Sequence, residues 1–191
     1  MPLQQVTAPI EEPISLLEAK LHLRVDFDQD DALITTLIGA ARQAAETLTG
    51  RQFVTARWKL VLDGFPGFAV LLPKSPVQSI VGIEYLDTSG VLQTLPVDEY
   101  TVDAACEPAR ITPVFGKAWP PCLPQIGAVA VTFDVGYGSA LDVPDGIKAW
   151  IKLRVGSLYG CREELSATAR TDTSTSSFFN GLLDPFRVVC L

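Results

Sequence analysis

Few residues in this chain are placed to do chemistry. A single histidine, His22, stands between Leu21 and Leu23, and no second histidine or suitably spaced cysteine completes a base-and-nucleophile arrangement. Asp26, Asp28 and Asp30 alternate like the first ligands of a calcium loop. Asp31, however, occupies the position that needs glycine for the turn, and Leu37 falls where the bidentate glutamate belongs. These carboxylates are instead expected to cap and solvate the start of a helix. Cys106, Cys122, Cys161 and Cys190 form no C-x-x-C pair and have no nearby histidine, so they read as free thiols rather than zinc ligands. The glycines at 64, 67, 136 and 138 lack phosphate-loop spacing and a following Lys-Ser/Thr pair. Lysines and arginines are dispersed, and Trp58, Trp119 and Trp150 fall one per element, as core or interface anchors would. The residues therefore point to a non-enzymatic protein without cofactor or metal, one that works through contact surfaces.

The 191 residues suffice for one domain with a core and an arm. An apolar fraction of 48% rules out wholesale disorder, and 14 Gly with 14 Pro imply many turns between short elements. Fifteen basic against 22 acidic side chains give a formal charge of −7, which disfavours a duplex-binding surface that neutralises phosphates. A tube through which DNA merely passes remains compatible, because a repulsive wall would help sliding. The N-terminal stretch has no basic patch followed by an apolar run, and no segment reaches 18 apolar residues. Neither a secretory signal nor a membrane span is expected.

The strongest element is the stretch from Asp30 to Gly50. Leu33, Ile34, Leu37, Ile38, Ala41, Ala44, Ala45 and Leu48 recur at helical spacing, with an aspartate at the start and a glycine at the end. Gly39, Ala40, Arg42, Gln43 and Glu46 fall on the opposite, small and polar side, which another helix or subunit could approach closely. Ahead of it, Ser15 and Glu18 form a capping-box pattern for a helix over 16–23. Residues 1–13 read as an extended leader, either loose or laid on a neighbour.

Beyond Gly50 the period becomes that of strands: 55–62, 70–72, a hairpin of 77–86 with 91–95, short strands near 100–102 and 110–112, and 128–135. They predict one antiparallel sheet of about five to seven strands. Helical spacing returns after Pro144, where Ile147, Trp150, Ile151, Val155 and Leu158 form an apolar face that Gly160 closes. Leu33, Leu37, Trp58, Ile147, Trp150 and Ile151 are the expected core anchors. The fold class is thus α+β: a small bundle of two N-terminal helices plus one near 144–159, with an inserted antiparallel sheet and a C-terminal arm. In domain terms, 1–160 is one domain, with a helical core at 14–50 and 143–160 and a β-rich insert at 54–136. Residues 161–191 form a linker and an arm. The run SATARTDTSTSS has almost no apolar content, yet Phe178, Phe179, Leu182, Leu183, Phe186 and Val188 follow it. This is the pattern of a spacer carrying a docking segment, which either returns to its own core or grips another molecule.

The run from Ile14 to Phe53 resembles the opening of the tailed-phage head-tail connector family, also called head completion or adaptor proteins. It carries that family's Leu23-Arg24-Val25-Asp26 step, the helix start Asp30-Asp31-Ala32-Leu33-Ile34 and the closing Thr49-Gly50-Arg51. The likeness resumes in VPDGIKAWIKLRVGSLY after a Gly-Tyr-Gly turn, and the middle block is similar to a subgroup with a strand-rich insert. The resemblance implies a ring, expected to be twelvefold, beneath the portal protein at the capsid vertex. Such a ring would extend the DNA channel, with DNA only as passing cargo, and offer a docking surface to stopper or tail completion proteins. It places the chain at the head-tail junction of the virion, and in the host cytoplasm during assembly, as a homo-oligomer that is compatible with a free monomer. It also implies that the C-terminal segment, with Phe178, Phe179, Leu182, Leu183, Phe186, Arg187 and Val188, makes the portal contact. A tail completion or terminator protein is the alternative, and a small enzyme or ligand-binding domain a more distant one.

Overall fold

Ser15 starts the first helix as its spacing requires. Its hydroxyl accepts from the Glu18 N–H at 3.2 Å while the Glu18 carboxylate accepts from the Ser15 N–H at 2.9 Å, a complete capping box. Helix α1 (Leu16–Leu23) ends at Arg24, which adopts the left-handed conformation at φ 58°. Helix α2 (Asp31–Thr49) closes on Gly50 at φ 73°, where the backbone N–H returns to the Glu46 carbonyl. Helix α3 (Asp145–Gly160) follows Pro144, whose carbonyl accepts from Ile147 and Lys148. The computed structural model describes residues 2–160 and 181–188.

These residues form two compact units, one of 11–54, 138–160 and 181–187, the other built on 2–10 and 55–137. In the first, α2 packs on α3, and α1 touches both. Ile34, Ile38, Ala41 and Ala45 meet Ile147, Trp150, Ile151 and Val155 in its buried interior. Leu33, expected in that core, is 38% exposed, and Leu37 is half-buried. The buried stripe of α2 is rotated instead towards Arg42, Glu46 and Thr49.

The second unit holds eight strands in two sheets rather than one sheet of five to seven. The five-stranded sheet runs β1-β2-β8-β4-β5, that is Leu3–Thr7, Ala56–Leu62, Val129–Val135, Val77–Leu86 and Leu92–Thr94. The three-stranded sheet runs β3-β7-β6, that is Val70–Leu72, Ala109–Pro113 and Tyr100–Asp103. The strands of both sheets pair antiparallel, and β2 meets β8 in a continuous register from Ala56 opposite Val135 to Leu62 opposite Val129. Period-two alternation turns Val129, Val131, Phe133 and Val135 into a core shared with Leu60, Leu62, Leu72, Ile83 and Ile111. Trp58 sits at the margin of that core, half-buried, with the Lys74 ammonium 5.2 Å from its ring centroid.

The extended leader is not loose where it is described. Residues 3–7 add an edge strand to β2, with Leu3 opposite Leu60 and Gln5 opposite Trp58. An edge strand is solvated on most sides, so its residues need little of the apolar alternation by which an inner strand is recognised.

Candidate contact surfaces

The acidic loop before α2 is a set of ties. Lys20 reaches back from α1 to Asp28 at 2.6 Å and to Asp31 at 2.7 Å, and the Tyr159 hydroxyl of α3 donates to Asp30. The lysine holds the Asp28 carboxyl below its ordinary range, and the two carboxylates raise the Lys20 pKa in return. Asp30 thus joins α2 to α3 instead of accepting from the first turn with its side chain. Among the described residues no group of three or more histidine, cysteine or acidic side chains converges as a metal site would require. His22 is exposed, with Nε2 3.7 Å from where a Cβ on Gly156 would lie. Cys106 and Cys122 are unbridged, and Cys161 and Cys190 lie outside the described residues.

Of the five residues expected on the open side of α2, the structure separates two from three. Arg42 and Glu46 are 8% and 7% exposed and belong to an internal network. Arg42 Nε donates to Glu12 at 2.7 Å and its NH1 to Glu46 at 2.8 Å. The other Glu46 oxygen accepts from Gln52 Nε2 at 2.6 Å and from the Phe53 N–H at 3.1 Å. Burial works against the guanidinium charge, but the two carboxylates outweigh it, and the Arg42 pKa is raised. These side chains staple the segments flanking α2 to the helix and are not free to meet a neighbour. Gly39 is half-covered, with Glu12 Oε1 3.7 Å from the place of a Cβ. Ala40 and Gln43 remain exposed.

Large apolar side chains are exposed elsewhere. On the helical unit the most exposed are Leu17 and Leu21 of α1, together with Leu141. On the β unit they include Leu71 and also Phe68 and Phe115, the last two lining an open groove of roughly 500 Å³ together with Thr101 and Trp119. Spacing alone could not find them, since each belongs to a short element or a loop.

The C-terminal segment is partly internal. Leu183 is fully buried, and Arg51 Nε donates to the Phe186 carbonyl at 2.5 Å. A Cβ on Gly146 would sit 3.2 Å from Phe186 Cε2, so α3 has its smallest residue where the ring lies. Asp184 and Arg187 pair at 3.2 Å, Leu182 and Val188 are half-buried, and Phe178 and Phe179 lie outside the described residues.

Residues 13–84 match the family model described as phage gp6-like head-tail connector protein, a span that contains α1, α2 and the strands from β2 into β4. None of the curated proteins compared matches the chain. Among solved structures, a chain from the neck of an empty gene transfer agent particle, computed with C6 symmetry, is 24% identical at a TM-score of 0.82, covering 100% of this chain and 97% of that one. A chain from the virion of a native gene transfer agent particle is 23% identical at a TM-score of 0.81, with the same coverage. Another, from the neck of the native particle computed with C12 symmetry, is 23% identical at 0.79, again with that coverage. Residues 13–84 thus carry the sequence pattern of the phage gp6-like head-tail connector family, and the whole chain shares the fold of those particle proteins.

Proposed function

We propose that this chain is a structural, non-enzymatic connector subunit that assembles as a ring below a portal protein, extends the DNA channel and presents the surface on which stopper or tail completion proteins dock. The observation that carries this reading is the coincidence of the connector pattern over residues 13–84 with a whole-chain fold shared with chains of gene transfer agent particles, two of them from the neck. Exposed Leu17, Leu21, Phe68 and Phe115 supply apolar contact area suited to assembly. The net charge of −7 suits a wall past which DNA slides.

A twelvefold ring assembled from free monomers is the form this reading takes, with Ala40 and Gln43 as the α2 residues still open to an adjacent subunit. Portal contact falls to the C-terminal segment: Phe178 and Phe179 with Leu182, Arg187 and Val188, while Leu183 and Phe186 anchor it. The location is the head-tail junction of a phage, prophage or gene-transfer particle, reached from the host cytoplasm during assembly. Deleting the gene tests the assignment. Particles without this chain are expected to package DNA yet fail to retain it or acquire tails, and particles that mature normally would refute the function.

A further inference from the structure

Three features stand apart from the family pattern: the groove beside Phe115, the uncharged edge of β1, and the seat of the C-terminal segment. In the last, the structure shows both the occupant and how that occupant is held. Leu183 is fully buried, the Leu183 and Asp184 carbonyls accept from Phe186 and Arg187 in a single tight turn, and Arg51 clamps the Phe186 carbonyl from outside. Gly146 leaves the space that the Phe186 ring occupies. Together Arg51, Gly146 and the surface over Leu183 make a receptor for a short segment of the form Leu-Asp-Pro-Phe.

The connection to that segment is longer than its own receptor demands. Helix α3 delivers the chain at Gly160, and the seat lies beside Gly146 in the first turn of the same helix. Sixteen helical residues span about 24 Å. The twenty residues 161–180 between Gly160 and Gly181 could span up to roughly 66 Å if extended. A connection of about eight residues would suffice to turn back along α3. The surplus lets the same segment reach the same seat on an adjacent molecule with no new contact surface.

We propose that the seat formed by Arg51 and Gly146 receives residues 181–188 from a second copy of this chain, so that assembled subunits are joined by exchanged C-terminal segments. The inference rests on the connector reading only in needing copies held side by side, where high local concentration favours exchange. In a dilute monomer the segment occupies its own seat.

Two full-length variants test this. Leu183→Asp expels the segment and leaves the seat open, while Gly146→Leu fills the seat and leaves the segment intact. Each alone is expected to sediment as the wild type does, and their equimolar mixture to form a one-to-one complex. A fluorescent peptide of residues 181–188 should bind Leu183→Asp at least tenfold more tightly than it binds Gly146→Leu, and adding Arg51→Ala should weaken it by about tenfold. Peptide binding without a mixed complex would overturn the exchange, and absence of peptide binding would overturn the seat itself. If Leu183→Asp does not fold by circular dichroism, Phe186→Ser serves as the open acceptor, with the same outcomes required. Portal capture by the wild-type chain, measured in parallel, separates failure of exchange from failure of the connector reading.

Discussion

At the scale of single residues, the clearest consequence concerns Arg42. Removing it takes away the guanidinium from which both the buried Glu46 and Glu12 accept. Arg42→Ala is expected to cost about 3 kcal/mol in urea unfolding, whereas Gln43→Ala, at an exposed position on the same helix, should change stability by less than about 0.5 kcal/mol. Equal small effects would show that the network is not a structural tie. The i, i+4 spacing of Arg42 and Glu46 was legible in the sequence, but their burial was not. Their other partners, Glu12, Gln52 and the Phe53 N–H, come from segments outside the helix, and helical periodicity assigns any charged pair to solvent. Leu33 fails for the mirror reason: it is apolar and correctly phased, yet the neighbouring helices cover a stripe one position further round.

At the scale of elements, capping and turn chemistry carried more information than apolar content. Ser15 with Glu18 fixed α1, Gly50 fixed the end of α2, and the bounds of both helices follow. Ser15→Ala is expected to lower stability by about 1 kcal/mol, read as a fall in thermal midpoint. No change would mean that packing alone holds the helix start. Glu18 also accepts from the Ser15 backbone and pairs with Lys152 at 3.2 Å, and its pKa lies below the ordinary 4.5. A carboxyl depressed in the folded state contributes stability that is present above its unfolded pKa and lost as pH falls through the folded value. Glu18→Gln should therefore flatten the acid limb of the stability profile below about pH 4.5, and an unchanged limb would contradict the assignment. The inner strands were legible because Val129 to Val135 alternate strictly, whereas β1 was not, because an edge strand is selected by its free backbone groups more than by its side chains. The division into two sheets was also hidden, since strand order depends on long-range pairing that local pattern does not encode.

At the scale of the molecule, a 191-residue acidic chain buries apolar cores and still leaves large apolar side chains such as Leu17, Phe68 and Phe115 on its surfaces. The C-terminal segment illustrates the limit of sequence reading. Its apolar content and its polar spacer announced docking, while the choice between its own body and another molecule depended on Gly146 and Arg51, distant in sequence. Deleting residues 177–191 removes buried Leu183 as well as the proposed portal-binding side chains. The truncated chain is expected to remain folded by circular dichroism, with a lower thermal midpoint than the full chain, and to lose portal capture in a pull-down. Retained capture would move the portal contact to another surface.

Electron microscopy of the purified protein mixed with its cognate portal decides whether this chain acts by assembling on a portal. The expected result is a closed ring of subunits seated on the portal, coaxial with the DNA channel. Portals that remain bare at saturating concentrations of folded, full-length protein would contradict it.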